Sequence, residues 1–291
     1  MIEKTQLSLI NFVETIAKNT KDISIETSDI SNLVKYLSDE KMKKVLDKHV
    51  IKPDLDSVKE KYNIHITADQ EIPFYLLSIF MRWHRTEVED DEGLLYGGFA
   101  FQSAKEIMYP QSKFWVTGSE DMRKFEKIDI DNAQLLKNLR WFETPIHPNR
   151  SASQYFGCVL PNEKSFPDKF YFYDDGNVYP LAITSYEDYI NAMLRNAAVE
   201  CWQYFYVAPE DLIKKNQGLN YMTTSLRHNT RIVSNMNGFT YNNLIEIDRL
   251  DLIYEYLKRC VDLLPTSFPT LNLGHQKAYF ERFKSLMKQR L

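Results

Sequence analysis

The sequence predicts an α+β fold: a mixed or antiparallel sheet packed with helices, with additional helices at both termini. Three observations carry this. Residues 166 to 194, FPDKFYFYDDGNVYPLAITSYEDYINAML, read as a β-hairpin running straight into a capped helix. Both ends of the chain place apolar residues at helical spacing. The middle mixes short aromatic or β-branched runs with turn residues.

Taken in order, residues 4 to 19 predict a helix with Leu7, Ile10, Phe12, Val13 and Ile16 on one stripe. A second helix fits 28 to 49, capped by Ser28 or Asp29 and broken by Pro53. Asp54 to Tyr62 is a short helix. Pro73 to Arg85 reads as a buried helix, because Phe74, Leu76, Leu77, Ile79, Phe80 and Trp83 are apolar on nearly every side. Leu94 to Phe101 holds Gly97-Gly98 within an aromatic stretch and predicts a strand with a bulge. Lys113 to Thr117 and Phe156 to Leu160 are strand candidates, with a helix over Asn132 to Phe142 and a loop over Glu143 to Ser153.

The hairpin has the clearest local physics. Phe170 to Tyr173 favour a pleated strand. Asp174-Asp175-Gly176-Asn177 is a turn. Val178 to Ile183 resume the strand, and Pro180 removes a donor, so this strand lies at an edge or is bulged there. Thr184 stands three residues before Glu187, the spacing of a capping box. Tyr186, Tyr189, Ile190, Met193, Leu194 and Ala197 follow at helical spacing. Beyond Val207, Pro209 opens a short helix, 215 to 240 is polar and ambiguous, Asn242 to Leu264 is helical, Pro265 and Pro269 bound a linker, and His275 to Arg290 is a last helix.

Bulk properties narrow the function classes. The 291 residues suffice for one large or two modest domains, and a hydrophobic content of 44% with 26% charged residues suits a globular core. A net charge of −4 gives no general electrostatic argument for nucleic acid. Only 9 glycines are present, against a glycine-rich cofactor fold. Cys158, Cys201 and Cys260 are far apart among apolar neighbours, which argues for a reducing compartment. The amphipathic, partly acidic N-terminus is unlike a signal peptide. No stretch approaches the roughly 20 apolar residues of a membrane span. The expected location is the cytoplasm.

The segment from Asp168 to Leu194 resembles the SUKH superfamily. Members typically end their core with an aromatic strand, a tight acidic or glycine-containing turn, a second strand, and a helix opening on a Ser/Thr-aromatic-acidic pattern. Here these are KFYFYDDG, NVYPLAI and TSYEDYINAML. Leu55 to Phe80, with Pro73-Phe74-Tyr75-Leu76, and Trp141 to Gly157 are weaker upstream echoes. The resemblance implies a core over 54–207, flanked by helical regions over 1–53 and 208–291, as separate units or one. It also implies a non-enzymatic binding protein: an immunity protein that covers a toxin's active site, or a regulatory scaffold.

The acidic run EVEDDE is the sharpest electrostatic feature. Glu87, Glu89, Asp90, Asp91 and Glu92, with Asp174 and Asp175 of the hairpin turn, are the candidate partner-binding residues. Many such toxins are nucleases with basic faces, for which the run would be a steering patch. The plainer reading is a solvated loop. It lacks the alternating ligands and closing Glu of a calcium loop. His49, His65, His84, His147, His228 and His275 show no HExxH spacing, and no CxxC exists. Cys158 with His147 is a chance pairing, since Cys158 reads as a buried strand thiol. Asp129 with Asp131 suits turn and cap roles, and Val116 to Ser119 lacks the lysine of a phosphate loop. Trp202, Tyr204, Phe205 and Tyr206 suit core packing. Lys277, Arg282, Lys284, Lys288 and Arg290 make the last helix basic, while Tyr279, Phe280, Phe283, Leu286 and Met287 form its docking face.

The reading is a non-catalytic protein-binding module, an immunity protein with a toxin partner. No catalytic, cofactor-binding or metal residues are assigned, and no cofactor, nucleic-acid or membrane partner is expected. The alternatives are a metal-dependent hydrolase using Glu87 to Glu92 and His147, and a regulatory scaffold.

Overall fold

The computed structural model describes residues 2–19, 23–27, 40–41, 44, 52–71, 80–85, 95–101, 135, 140–143, 154–159, 169–174, 177–223 and 245–289. Among them it is α+β, with three antiparallel sheets of three, four and two strands and helices at both ends.

Helix α1 (Ile2–Asn19) buries Leu9, Ile10, Val13 and Ile16 on one face, whereas Leu7, expected inward, is 50% exposed. Of the helix expected over 28 to 49, residues 40, 41 and 44 are described and helical. Residues 45–51, where that helix would meet Pro53, lie outside the described residues. Pro53 is the second residue of α2 (Lys52–Tyr62), where a missing N–H costs nothing. Asn63 closes α2 with a left-handed φ of 49°.

The main correction concerns the expected helix over 73 to 85. Residues 80–85 form strand β2 (Phe80–Arg85), and 73–79 lie outside the described residues. The burial has period two: Met81 and Trp83 are buried, and Arg82 and His84 are half-buried. A run apolar on every side fits a buried strand as well as a buried helix, and pairing decides. β2 is the middle of the first sheet, between β1 (Ile23–Thr27) and β3 (Tyr96–Ala100). β3 is the strand expected over 94 to 101, but it pairs residue for residue from Phe80↔Ala100 to His84↔Tyr96, without a bulge. Its glycine has a steric purpose instead. Gly97 lies opposite Trp83, and a Cβ there would sit 2.3 Å from the indole.

The second sheet runs β4 (Arg140–Trp141), β5 (Gln154–Val159), β6 (Phe170–Asp174), β7 (Asn177–Pro180). Of the helix expected over 132 to 142, residue 135 is described and helical, while residues 140–141 are β4. In the hairpin Asp174 pairs with Asn177, and residues 175–176 between them lie outside the described residues; the second strand, expected over Val178 to Ile183, is β7, which ends at Pro180 and is the edge strand that tolerates it. The cap is one residue later than expected. Ser185, not Thr184, caps α3 (Tyr186–Arg195), its hydroxyl accepting from the Asp188 amide at 3.0 Å. Asp69, 117 residues earlier, accepts from the Tyr186 amide at 3.1 Å. It also accepts from the Glu187 amide at 3.4 Å, so three orphan donors are satisfied. Glu187 instead reaches Lys4 of α1 at 3.2 Å.

A 3-10 helix (Trp202–Tyr206) and α4 (Pro209–Asn216) follow. β8 (Asn220–Thr223) pairs with β9 (Ile245–Asp248), so the helix expected from Asn242 begins later, as α5 (Arg249–Ser267) capped by Asp248. Pro265 does not end α5; it stands inside its last turns. α6 (Gly274–Gln289) is the expected last helix. Residues 113–117, 144–153 and 224–244 lie outside the described residues.

One buried cluster joins these elements, with Leu9 of α1, Phe99 of β3, Phe172 of β6, Tyr189 of α3, Leu257 of α5 and Phe283 of α6. The first sheet meets α3 through the segment Asn196 to Cys201. Trp83 Nε1 donates to the Ala197 carbonyl at 2.7 Å, Gly98 N to the Ala198 carbonyl at 2.7 Å, and Glu200 N to the Tyr96 carbonyl at 2.9 Å. Ala197, Ala198 and Cys201 hold left-handed φ values of 51°, 49° and 56°. Such angles cost about 1–2 kcal/mol each for residues with a Cβ, and these bonds oppose that cost.

Gly97→Ala should destabilise the protein by about 1–3 kcal/mol or more through overlap with Trp83. Urea unfolding checks this, and an unchanged midpoint would place the indole elsewhere.

Candidate functional site

The candidate residues divide sharply by place. Glu87, Glu89, Asp90, Asp91 and Glu92 belong to the chain between β2 and β3, which are paired up to His84↔Tyr96. The run itself, like Asp175, lies outside the described residues. Its stem is firmly seated. Trp83 is fully buried, hydrogen-bonded to Ala197, and packed edge-on against Phe268, the C-cap of α5, with ring centroids 4.9 Å apart.

Asp174 is a correction. It was expected at a partner-facing turn, but it ends β6 in the interior at 3% exposure. Its carboxylate forms an ion pair with Arg249, itself 4% exposed, and accepts from the Tyr204 hydroxyl. Arg249 Nη2 also donates to the Asp174 carbonyl at 3.1 Å. Burial, followed by the Asp174 charge, pushes the Tyr204 phenol well above its ordinary range. The strand alternates, so the residue that opens a turn also has an inward option; the arginine that takes it is 75 residues away.

A second buried carboxyl carries no signal in the sequence beyond its place after an aromatic pair. Glu143 follows β4 and pairs by an isolated bridge with Phe101, just beyond β3. It is 4% exposed and accepts from the Tyr189 hydroxyl, which accepts from Gln203 Nε2 at 3.1 Å. Among the described residues no cation forms an ion pair with it. Burial pushes its carboxyl up to about 8, partly offset by the Tyr189 bond. Phe142 beside it packs against Tyr189 at 4.7 Å, Tyr186 at 5.3 Å and Phe170 at 5.9 Å.

The remaining polar groups fasten elements together. Gln276 Nε2 donates to Asn196 Oδ1 at 2.8 Å and the Tyr279 hydroxyl to the Val207 carbonyl at 2.9 Å, docking α6. Asn216 Nδ2 donates to the Tyr179 hydroxyl at 2.7 Å, docking α4 on β7. His275 bonds the Phe205 carbonyl at 2.8 Å and stacks on Tyr206. His84 is half-buried beside Tyr96, and His65 is exposed. Trp202, Tyr204 and Phe205 are core, as expected. Cys201 and Cys260 are buried thiols, and burial pushes Cys260 up to about 12. Cys158 lies in β5. His49, His147, His228, Asp129, Asp131 and 116–119 lie outside the described residues.

Among the described residues no group of three or more His, Cys, Asp or Glu is placed to hold a metal ion. No described helix is long and apolar enough to cross a membrane. No protein-family model matches the chain, and neither a curated protein nor a solved structure matches it.

Asp174→Ala should cost about 3–5 kcal/mol, because it leaves Arg249 buried without a counter-charge. Chemical denaturation checks the value; a loss below about 1 kcal/mol would mean that the pair is solvated.

Proposed function

We propose that this chain is a non-catalytic protein-binding module, SUKH-like in its central region. It acts in the cytoplasm as an immunity protein that covers the active site of a toxin. The observation that carries the reading is the mounting of the acidic run Glu87 to Glu92. It joins two paired strands whose stem is fixed in the core by Trp83.

A cluster of negative charge on a well-anchored stem suits steering of a basic partner. Long-range attraction raises the encounter rate, while a rigid base limits the conformational entropy lost on docking. The interior supports the same role. Asp174, Arg249, Tyr189, Asn196, Asn216 and Gln276 are engaged with other parts of the protein, which stiffens a binding scaffold. The buried thiols Cys201 and Cys260 suit a reducing compartment.

The test has two steps. The tagged full-length protein is recovered from a lysate of its source, and co-eluting chains are identified. A stoichiometric chain with a basic, toxin-like C-terminal domain is expected. A tightly held metal or metabolite with no protein partner would overturn the module in favour of a hydrolase. The association rate of that partner is then measured for a variant with Glu89, Asp90, Asp91 and Glu92 all replaced by Ala. The variant should associate about tenfold or more slowly at low salt, and the two rates should converge at high salt. Equal rates at low salt would remove the acidic run from recognition.

A further inference from the structure

The chain leaving α3 turns in a way that its residues resist. Asn196 caps the helix, the Ala197 amide donates to the Leu194 carbonyl at 3.0 Å, and the Ala198 amide donates to the Met193 carbonyl at 2.8 Å. This bonding pattern ends many helices, and glycine commonly supplies the left-handed residue that it needs. Here two alanines take that conformation in succession, at φ values of 51° and 49°, and both are fully buried. A Cβ makes the conformation unfavourable. Residues held in this way persist where their surroundings fix them.

Two separate parts of the protein do the fixing. The first is the pair of strands that carries the acidic run. The Trp83 indole of β2 donates to the Ala197 carbonyl at 2.7 Å, and the Gly98 amide of β3 donates to the Ala198 carbonyl at 2.7 Å. The Tyr96 carbonyl accepts from the Glu200 amide at 2.9 Å, and Gly97 adds an isolated bridge to Val199. The second is α6. Gln276 is buried and donates from Nε2 to Asn196 Oδ1 at 2.8 Å and to the Arg195 carbonyl at 3.4 Å. Asn196 Nδ2 in turn donates to the Ala192 carbonyl at 2.7 Å. Trp83 and Gln276 thus hold adjacent residues of one turn, from elements far apart in the sequence.

We propose that Asn196 to Glu200 is a strained relay between the stem of the acidic run and α6. Its left-handed form needs both sets of bonds. Loss of either set lets the alanines return to ordinary backbone angles, and the other set goes with it. Displacement of β2 and β3 therefore loosens α6, and undocking of α6 loosens the stem, since coupling between two sites is reciprocal. Tyr96 follows Glu92 by four residues, so a chain that shifts the acidic run acts close to the relay. The relay goes beyond the immunity reading and needs no partner to operate.

Glycine separates such a relay from ordinary packing. In a chain carrying both Ala197→Gly and Ala198→Gly the left-handed backbone is no longer unfavourable, so the turn keeps its form when one anchor is lost. Amide hydrogen exchange of the free, full-length protein reads the outcome. Trp83→Phe keeps an aromatic ring and removes the indole N–H. It should lower protection of the α6 amides from Lys277 to Phe280 about fivefold, the effect of one lost hydrogen bond. In the double-glycine chain that fall should vanish. An unchanged α6 in Trp83→Phe overturns the relay. An equal fall with glycine present also overturns it, because the two elements then communicate through packing alone. Gln276→Leu reads the reverse direction and carries the test if Trp83→Phe fails to fold. Protection at Gly98 and Glu200 should fall, and glycine should restore it; no fall, or one that glycine leaves in place, overturns the relay. If the double-glycine chain fails to fold, Ala197→Gly alone takes its place and should shrink each fall, and falls of full size overturn the proposal.

Discussion

The hydrogen bond from the Trp83 indole to the Ala197 carbonyl holds the architecture together, and much else is arranged around it. It brings the middle strand of the first sheet onto the chain leaving α3. The space for the indole exists only because residue 97 is glycine. The same ring rests on Phe268 at the end of α5, so three parts of the chain meet at one side chain. The left-handed residues Ala197 and Ala198 are unfavourable alone, and their carbonyls accept from Trp83 of β2 and Gly98 of β3. Local strain and long-range pairing are two sides of one arrangement.

Two interior carboxyl groups show how burial alone does not decide charge. Asp174 has a guanidinium and a phenol against it, so its negative form is matched. Glu143 has a phenol but no described cation, so the uncharged form is favoured. Asp174 ends β6 and Glu143 lies just past β4, and both connect a sheet to a helical element. The first fastens the hairpin of β6 and β7 to α5. The second stands where two sheets touch.

What could be read from the residues was what is decided locally. The hairpin over Phe170 to Pro180, the helix after it, and the helices at 2–19, 52–62 and 274–289 follow from spacing, turn residues and capping. Where the reading failed, the deciding partner was distant. Phe80 to Arg85 has no local preference that separates strand from helix; β1 and β3 select the strand. Ser185 rather than Thr184 begins α3 because Asp69 approaches from 117 residues away and takes the next two amides. Asp174 looked like a turn residue because Arg249 is invisible to a local window, and Glu143 looked like the start of a loop because Phe101 and Tyr189 are. The acidic run was legible as charge and as a connection, and the strands it joins are now defined.

The pairing of Asp174 with Arg249 also orders events during synthesis. The two are 75 residues apart, so at about 5–20 residues per second the hairpin waits roughly 4–15 s for its counter-charge to be made. Until then β6 cannot bury its last residue without penalty, and α3 lacks the helix α6 that will lean on Asn196. The last residue of β6 and the end of α3 thus wait for α5 and α6 to be made.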